Sequence, residues 1–340
     1  MRWFIQRAKS SLSYGLYLLL IIVLTDVILF KHILGLGYPS HYQQENIERY
    51  PAPYIEFTGK PNALDHNEFG FRGKSFSEAD SGAIKVAFFG GSTGYNGSPP
   101  ISEILELELE KLLKKDVFIA NLSVVSSNHR QHLHAILEYA IQHQPDIIVF
   151  YGGYNETIQH LYYDPRPGYP FNYFYRGELT PFKKLLLKHS ALVGEMDMRL
   201  AIISGLRALR SEHKPWSKEW SSKIVQKYFE TLRIAQNVSH TIESSYFENC
   251  QFFAFYQPYQ IPSGFLNSHQ QIKGKISKVS YIHDVSHVYD SLNEKQSVYK
   301  DGVHVKQPAR ELMGKTMAQI LFDKLEGSNA YKADYMESLR

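Results

Sequence analysis

A chain of 340 residues with 44% hydrophobic and 21% charged side chains has the composition of an ordinary folded protein, with ample apolar material for a core. Its net charge of +3 is scattered rather than run together, which leaves no electrostatic case for nucleic acid as a partner. Cys250 is the single cysteine, so an intrachain disulfide, a multi-cysteine zinc site and a redox cysteine pair are excluded.

The chain begins MRWFIQRAK, with Arg2, Arg7 and Lys9, and runs on into YGLYLLLIIVLTDVILF, Tyr14 to Phe30. A bilayer-spanning helix needs about 20 apolar residues, and with Leu12 included this run nearly reaches that. Asp26 lies close to its far end, where a carboxylate reaches the interface at low cost. No A-x-A-like cleavage site follows, so residues 1–31 are expected to be a cytoplasmic tail and one uncleaved transmembrane helix. The basic flank sets the N-terminus inside and the body outside the cell membrane, in the periplasm if the source is bacterial.

Residues 32–83 are polar and rich in Pro and Gly, and read as a linker and lead-in. Apolar strands and amphipathic helices then alternate. IKVAFFG predicts a strand, and PPISEILELELEKLLKK a helix capped by Ser98 with Pro99 at its first position. In that helix Ile101, Ile104, Leu105, Leu109, Leu112 and Leu113 share one face. VFIANLSV is a second strand, NHRQHLHAILEYAIQHQ a second helix and DIIVFYGG a third strand. CQFFAFYQP is a fourth strand, and QPARELMGKTMAQILFDKL a last helix. Continuously apolar strands alternating with helices imply an α/β fold: a three-layer α/β/α sandwich on a parallel, flavodoxin-like sheet, spanning 84–330.

Ligands of such sheets sit at the carboxyl ends of the strands, and that rule selects the residues of interest. The first strand stops at Gly90-Gly91 and presents Ser92; the second ends over Asn121 to Ser126; the third ends in YGGYNET with Asn155. YKDGVHVKQPAR places Asp301 and His304 just before the last helix. Serine chemistry needs these parts: a histidine takes the hydroxyl proton, a carboxylate holds its tautomer, and donors receive the oxyanion. No lysine follows the glycines as a phosphate loop requires, and Ser92 stands where a dinucleotide fingerprint has its second glycine. Gly90 to Gly94 spells G-x-S-x-G, but residues 31–83 offer too few strands for an α/β-hydrolase before its elbow. His129, His132 and His134 cluster, as do His283 and His287, but without a supporting carboxylate pattern such as H-E-x-x-H. No metal or other cofactor is expected.

On these residues the chain resembles the SGNH (GDSL-type) hydrolase family over about 84–126, 146–157 and 251 to the last helix. The resemblance implies Ser92 as nucleophile and Asp301 and His304 as its triad partners. It implies an oxyanion hole from Ser92, Ser126 and Asn155, with Ser126 standing where the second block usually has glycine. Asn67 to Gly73, NEFGFRG, looks like the lead-in of membrane-anchored members. Gly91 departs from the usual Asp beside the serine, and Glu156 from the usual Asp after the asparagine. The implied function is a membrane-anchored serine esterase or O-acyltransferase acting on O-acyl groups, O-acetyl foremost, of a cell-surface glycan. A lipid ester or thioester hydrolase and a catalytically silent glycan-assembly protein are the alternatives. In an insertion at about 157–249, the Tyr/Pro-rich LYYDPRPGYPFNYFYRGEL is expected to pack in the core or as a lid, and a basic amphipathic stretch from Phe182 to Arg210, followed by Trp216 and Trp220, to cover the site or lie on the membrane.

Overall fold

The computed structural model describes residues 2–33, 50–158, 217–261, 265–290, 292 and 298–327, with isolated positions between 182 and 200. The chain divides into two compact units, Met1–Asn46 with Tyr173–Arg207, and Ile47–Asn172 with Ala208–Arg340.

In the first unit, helix α1 (Arg2–Leu24) gives way to a wider π-helix over Thr25–Ile33. Leu16 to Leu24 are exposed, whereas Asp26 is buried and accepts the Leu192 N–H at 2.8 Å. The expected spanning helix is not found: among the described residues no helix is long and apolar enough to cross a membrane. Arg2, Arg7, Lys9 and the serines at 10, 11 and 13 occupy the first half of α1. Its α-helical bonding ends at Leu24, and the π-helical run continues directly from Thr25. The Tyr/Pro-rich stretch and most of 182–210 lie outside the described residues.

The second unit opens with a hairpin that the sequence reading took for linker, β1 (Tyr50–Ala52) and β2 (Glu56–Thr58). Strand β3 (Ile84–Gly90) leads into the single turn α2 (Ser92–Tyr95), and α3 (Ile101–Leu113) precedes β4 (Val117–Asn121). Helix α4 (His129–Ala135) passes through a π turn and a 3-10 turn up to His143, and β5 (Ile147–Gly152) leads into α5 (Tyr154–Ile158). There follow α6 (Lys218–Ser239), β6 (Gln251–Tyr256), α7 (Leu266–Ile276), β7 (Ile282–Asp284) and α8 (Gln307–Gly327).

The five strands β3 to β7 are all parallel, in the order β4-β3-β5-β6-β7. This is the doubly wound, flavodoxin-like order, which places the topological switch between β3 and β5. Residues of β3 and β5 are buried almost throughout, as a sheet covered on both faces requires. Alternation divides them between the layers. Val86 and Phe88 pack with Leu105 and Leu109 of α3 and Met313, Met317 and Leu321 of α8. Phe89 and Phe150 turn the other way, against the rings of His129 and His132 on α4. Register aligns the strand ends: Gly90 pairs with Tyr151, and Gly152 with Tyr256.

Two local expectations fail for identifiable reasons. Helix α3 is capped by Pro100, with no side-chain cap, rather than by Ser98. A residue that precedes proline is disfavoured in the α region, so Pro99 cannot open the helix ahead of Pro100. Strand β7 was missed because its three residues carry no apolar run that could be read as a buried strand.

Candidate active site

Gly91 is extended, at φ −82° and ψ −153°, and its carbonyl accepts the N–H groups of Gly94 and Tyr95, so the chain turns sharply from β3 into α2. Ser92 heads that turn, where first-turn amides have no partner within the helix. His304 lies on the loop before α8, and its Nε2 is 2.7 Å from Ser92 Oγ. Its Nδ1 is 2.6 Å from Asp301 Oδ2, while Asp301 Oδ1 accepts the backbone N–H of Val303 at 2.9 Å and of His304 at 2.8 Å. The Asp-x-x-His spacing therefore folds the loop around its own carboxylate. That fixes the ring with one nitrogen toward the acid and the other toward the serine. Partial burial works to raise the Asp301 carboxyl, but the two N–H donors and the His304 ring outweigh it and hold the group below its ordinary value. Asp301 and His304 side chains remain 54% and 31% exposed, so the constellation opens to solvent.

Asn155 sits in the first turn of α5, across the sheet's switch point. Its Nδ2 donates to Ser127 O at 2.7 Å. An amide nitrogen carries two hydrogens, so one fixes the group while the other is free to face the cleft. The amide rests directly on the nucleophile's turn: a Cβ at Gly91 would lie 2.4 Å from Nδ2. Ser126 adopts φ +64°, the left-handed conformation that glycine takes most readily. Serine therefore bears a small strain there while presenting the same backbone. Among the described residues the Ser92 and Ser126 N–H groups have no backbone partner outside the helices and strands. The structure thus gathers Ser92, Asp301, His304, Ser126 and Asn155 at the carboxyl ends of β3, β4 and β5.

Sequence reasoning missed what the lead-in does. Asn67 Oδ1 accepts the N–H of Phe69 at 3.1 Å and of Phe71 at 3.0 Å, closing a turn that projects Arg72. Arg72 Nη1 donates to Tyr95 O at 2.6 Å and Gly97 O at 2.7 Å, and its Nε pairs with Asp65 at 2.5 Å. Tyr95 Oη also meets His66 Nε2 at 2.7 Å. The segment holds the loop behind the serine from outside. Only the spacing of Asn67 and Arg72 hinted at this, and it carries no chemistry by itself. Tyr154, beside Asn155, stands edge-on to Tyr259 with centroids 5.3 Å apart, giving the site an aromatic flank.

The histidine cluster resolves into a buried pair and an outlier. His129 and His132 meet Nδ1 to Nδ1 at 3.2 Å, and burial pushes both down to about 3, so both are neutral. His134 instead stacks on Tyr54, and His283 stacks on Phe253. Among the described residues no group of three or more His, Cys, Asp or Glu side chains is arranged to hold a metal.

No family model matches the chain, and no curated protein matches it. Among solved structures it is similar to a lipase from a goat rumen metagenome, at 13% identity over 70% of this chain and 97% of that one, TM-score 0.41. It is similar also to a mutant acetyl-xylooligosaccharide esterase from Geobacillus, at 12% identity over 71% and 95%, TM-score 0.40. A third is an acetyl xylan esterase, at 11% identity over 71% and 98%, TM-score 0.40. Likeness this loose carries no argument about chemistry, which rests on the side chains above.

Proposed function

We propose that this chain is a serine hydrolase of ester bonds that works through an acyl-enzyme. One observation carries the reading: the unbroken contact chain Asp301–His304–Ser92, at 2.6 and 2.7 Å, ends beside an amide seated on the serine's own turn. In this reading Ser92 Oγ attacks the acyl carbonyl while His304 Nε2 takes its proton. Asp301 stabilises the imidazolium that forms. The carbonyl oxygen becomes an oxyanion facing the Ser92 and Ser126 N–H groups and the free N–H of Asn155. Collapse breaks the bond to the alcohol oxygen, which leaves with the proton from His304. Water or a second hydroxyl then attacks the acyl-enzyme by the reverse route. Esterase and O-acyltransferase share every step but the acceptor.

The substrate class we favour is an O-acyl, foremost O-acetyl, group on a cell-surface glycan. The partly exposed Tyr154 ring beside Asn155 supports it, since ring faces pack against sugars, and the open triad admits a polymer edge. We further propose attachment to the cell membrane through the exposed apolar run from Leu16 to Leu24, with the second unit outside. The direct test is turnover of an aryl acetate and of an O-acetylated polysaccharide by the wild type, Ser92→Ala and His304→Ala proteins. Both substitutions should abolish nearly all activity, and the double variant should lose little more, because the residues act as one unit. Independent, multiplying losses would show that the two side chains do not share a proton.

A further inference from the structure

Beneath the proposed oxyanion hole lies a carboxylate that the triad does not use. Glu156 follows Asn155 directly, and its side chain is 8% exposed. Its Oε2 accepts the Gly153 N–H at 2.7 Å, which belongs to the loop leaving β5. Its Oε1 accepts the His129 N–H at 2.6 Å, on the other side of the sheet's switch point, three residues after Ser126. The His129 ring also approaches Oε1, at 3.3 Å. One side chain therefore ties the loop that carries Ser126 to the loop that carries Asn155. A third tie runs between the same loops, from Asn155 Nδ2 to Ser127 O. Ser127 is anchored in turn: its Oγ lies 2.8 Å from Val124 O, 3.0 Å from Gly90 O and 2.8 Å from His132 Nε2, its single O–H donating to one of them.

We propose that Glu156 is a positioning residue, whose two carboxylate oxygens set the separation of the Ser126 and Asn155 loops and so the width of the oxyanion hole. The inference rests on the reading of this site as an acyl-transfer centre. Two backbone donors on different loops require an acceptor at each oxygen, and only a carboxylate supplies both at this place. An amide would turn its NH2 toward one N–H and release that loop. Each oxygen accepts a backbone N–H from a different loop at 2.6 and 2.7 Å, so the tie fixes both loops on the scale that oxyanion geometry demands. A displacement of about 1 Å at a reacting centre costs on the order of 10²-fold in rate.

The test compares Glu156→Gln and Glu156→Asp by steady-state kinetics on an aryl acetate and by amide hydrogen exchange at Gly153 and His129. Glu156→Gln should lower kcat at least 30-fold with KM changed less than threefold, and should speed exchange at one of the two amides. Glu156→Asp, which keeps two acceptor oxygens, should restore kcat to within tenfold of wild type. If Glu156→Gln keeps full kcat, or both variants lose activity only in step with a fall in melting temperature, the positioning role is wrong. If the wild type turns over no ester while exchange at one of the two amides still responds to Glu156→Gln, the acyl-transfer reading fails and the tie stands. Unchanged exchange in both variants would overturn the tie itself.

Discussion

The close approach at Gly91 gives the sharpest perturbation of the proposed hole. A methyl group there would lie 2.4 Å from Asn155 Nδ2, with Ser127 O at 3.3 Å. Ordinary carbon contacts sit at about 3.5 Å, so Gly91→Ala must push the amide away by about 1 Å. Gly91 is extended with negative φ, so alanine adopts its backbone without strain and the fold should persist. Displacing one oxyanion donor costs about 10²–10³ in kcat. Gly91→Ala should therefore lose about 10²-fold in kcat on an aryl acetate with KM nearly unchanged, and Asn155→Ala should lose about 10²–10³. In the Asn155→Ala background, where no amide remains to be displaced, Gly91→Ala should cost less than threefold more. A full, multiplying loss in that background, or a threefold loss or less in the single variant, would refute the placement of Asn155 in the hole.

Three further outcomes are expected. Asp301→Asn should lower kcat as much as His304→Ala or less, since it disturbs tautomer and charge without removing the base; activity equal to wild type would remove Asp301 from the triad. Burial holds His129 and His132 at about 3 in the folded chain, whereas both bind protons below about 6.5 when unfolded. The unfolded state therefore holds more protons between these limits, and stability should fall as pH falls from 6.5 toward 3, by roughly 1 kcal/mol per pH unit for each ring. Glu156, which burial raises, opposes this as a single group; a flat urea midpoint from pH 6.5 to 4.5 would contradict the pair's neutrality. Finally, a reporter active only in the cytoplasm and fused after Arg340 should be silent in cells, and activity there would overturn the proposed topology.

Much of this architecture was legible because buried parallel strands are written as continuous apolar runs. IKVAFFG, VFIAN and IIVFYG read directly as the sheet's centre, and the carboxyl-end rule then pointed to Ser92 and Asn155. Asp301 and His304 were legible because three residues is the spacing at which a loop can wrap its own carboxylate. What the sequence hid depends on distance in space. Glu156 is an unremarked acid until folding brings Gly153 and His129 to its two oxygens. Arg72 grips the backbone of residues that follow it by more than twenty positions, through carbonyls that carry no sequence signal. Strand β7 is too short to show a period.

The central claim is that Ser92 is a nucleophile activated by His304. A fluorophosphonate probe, which bonds covalently to an activated serine, followed by peptide mapping, tests it most directly. The account predicts a single adduct on Ser92, absent from Ser92→Ala and strongly slowed in His304→Ala. No labelling of the folded wild-type protein, or an adduct on a different serine, would contradict it.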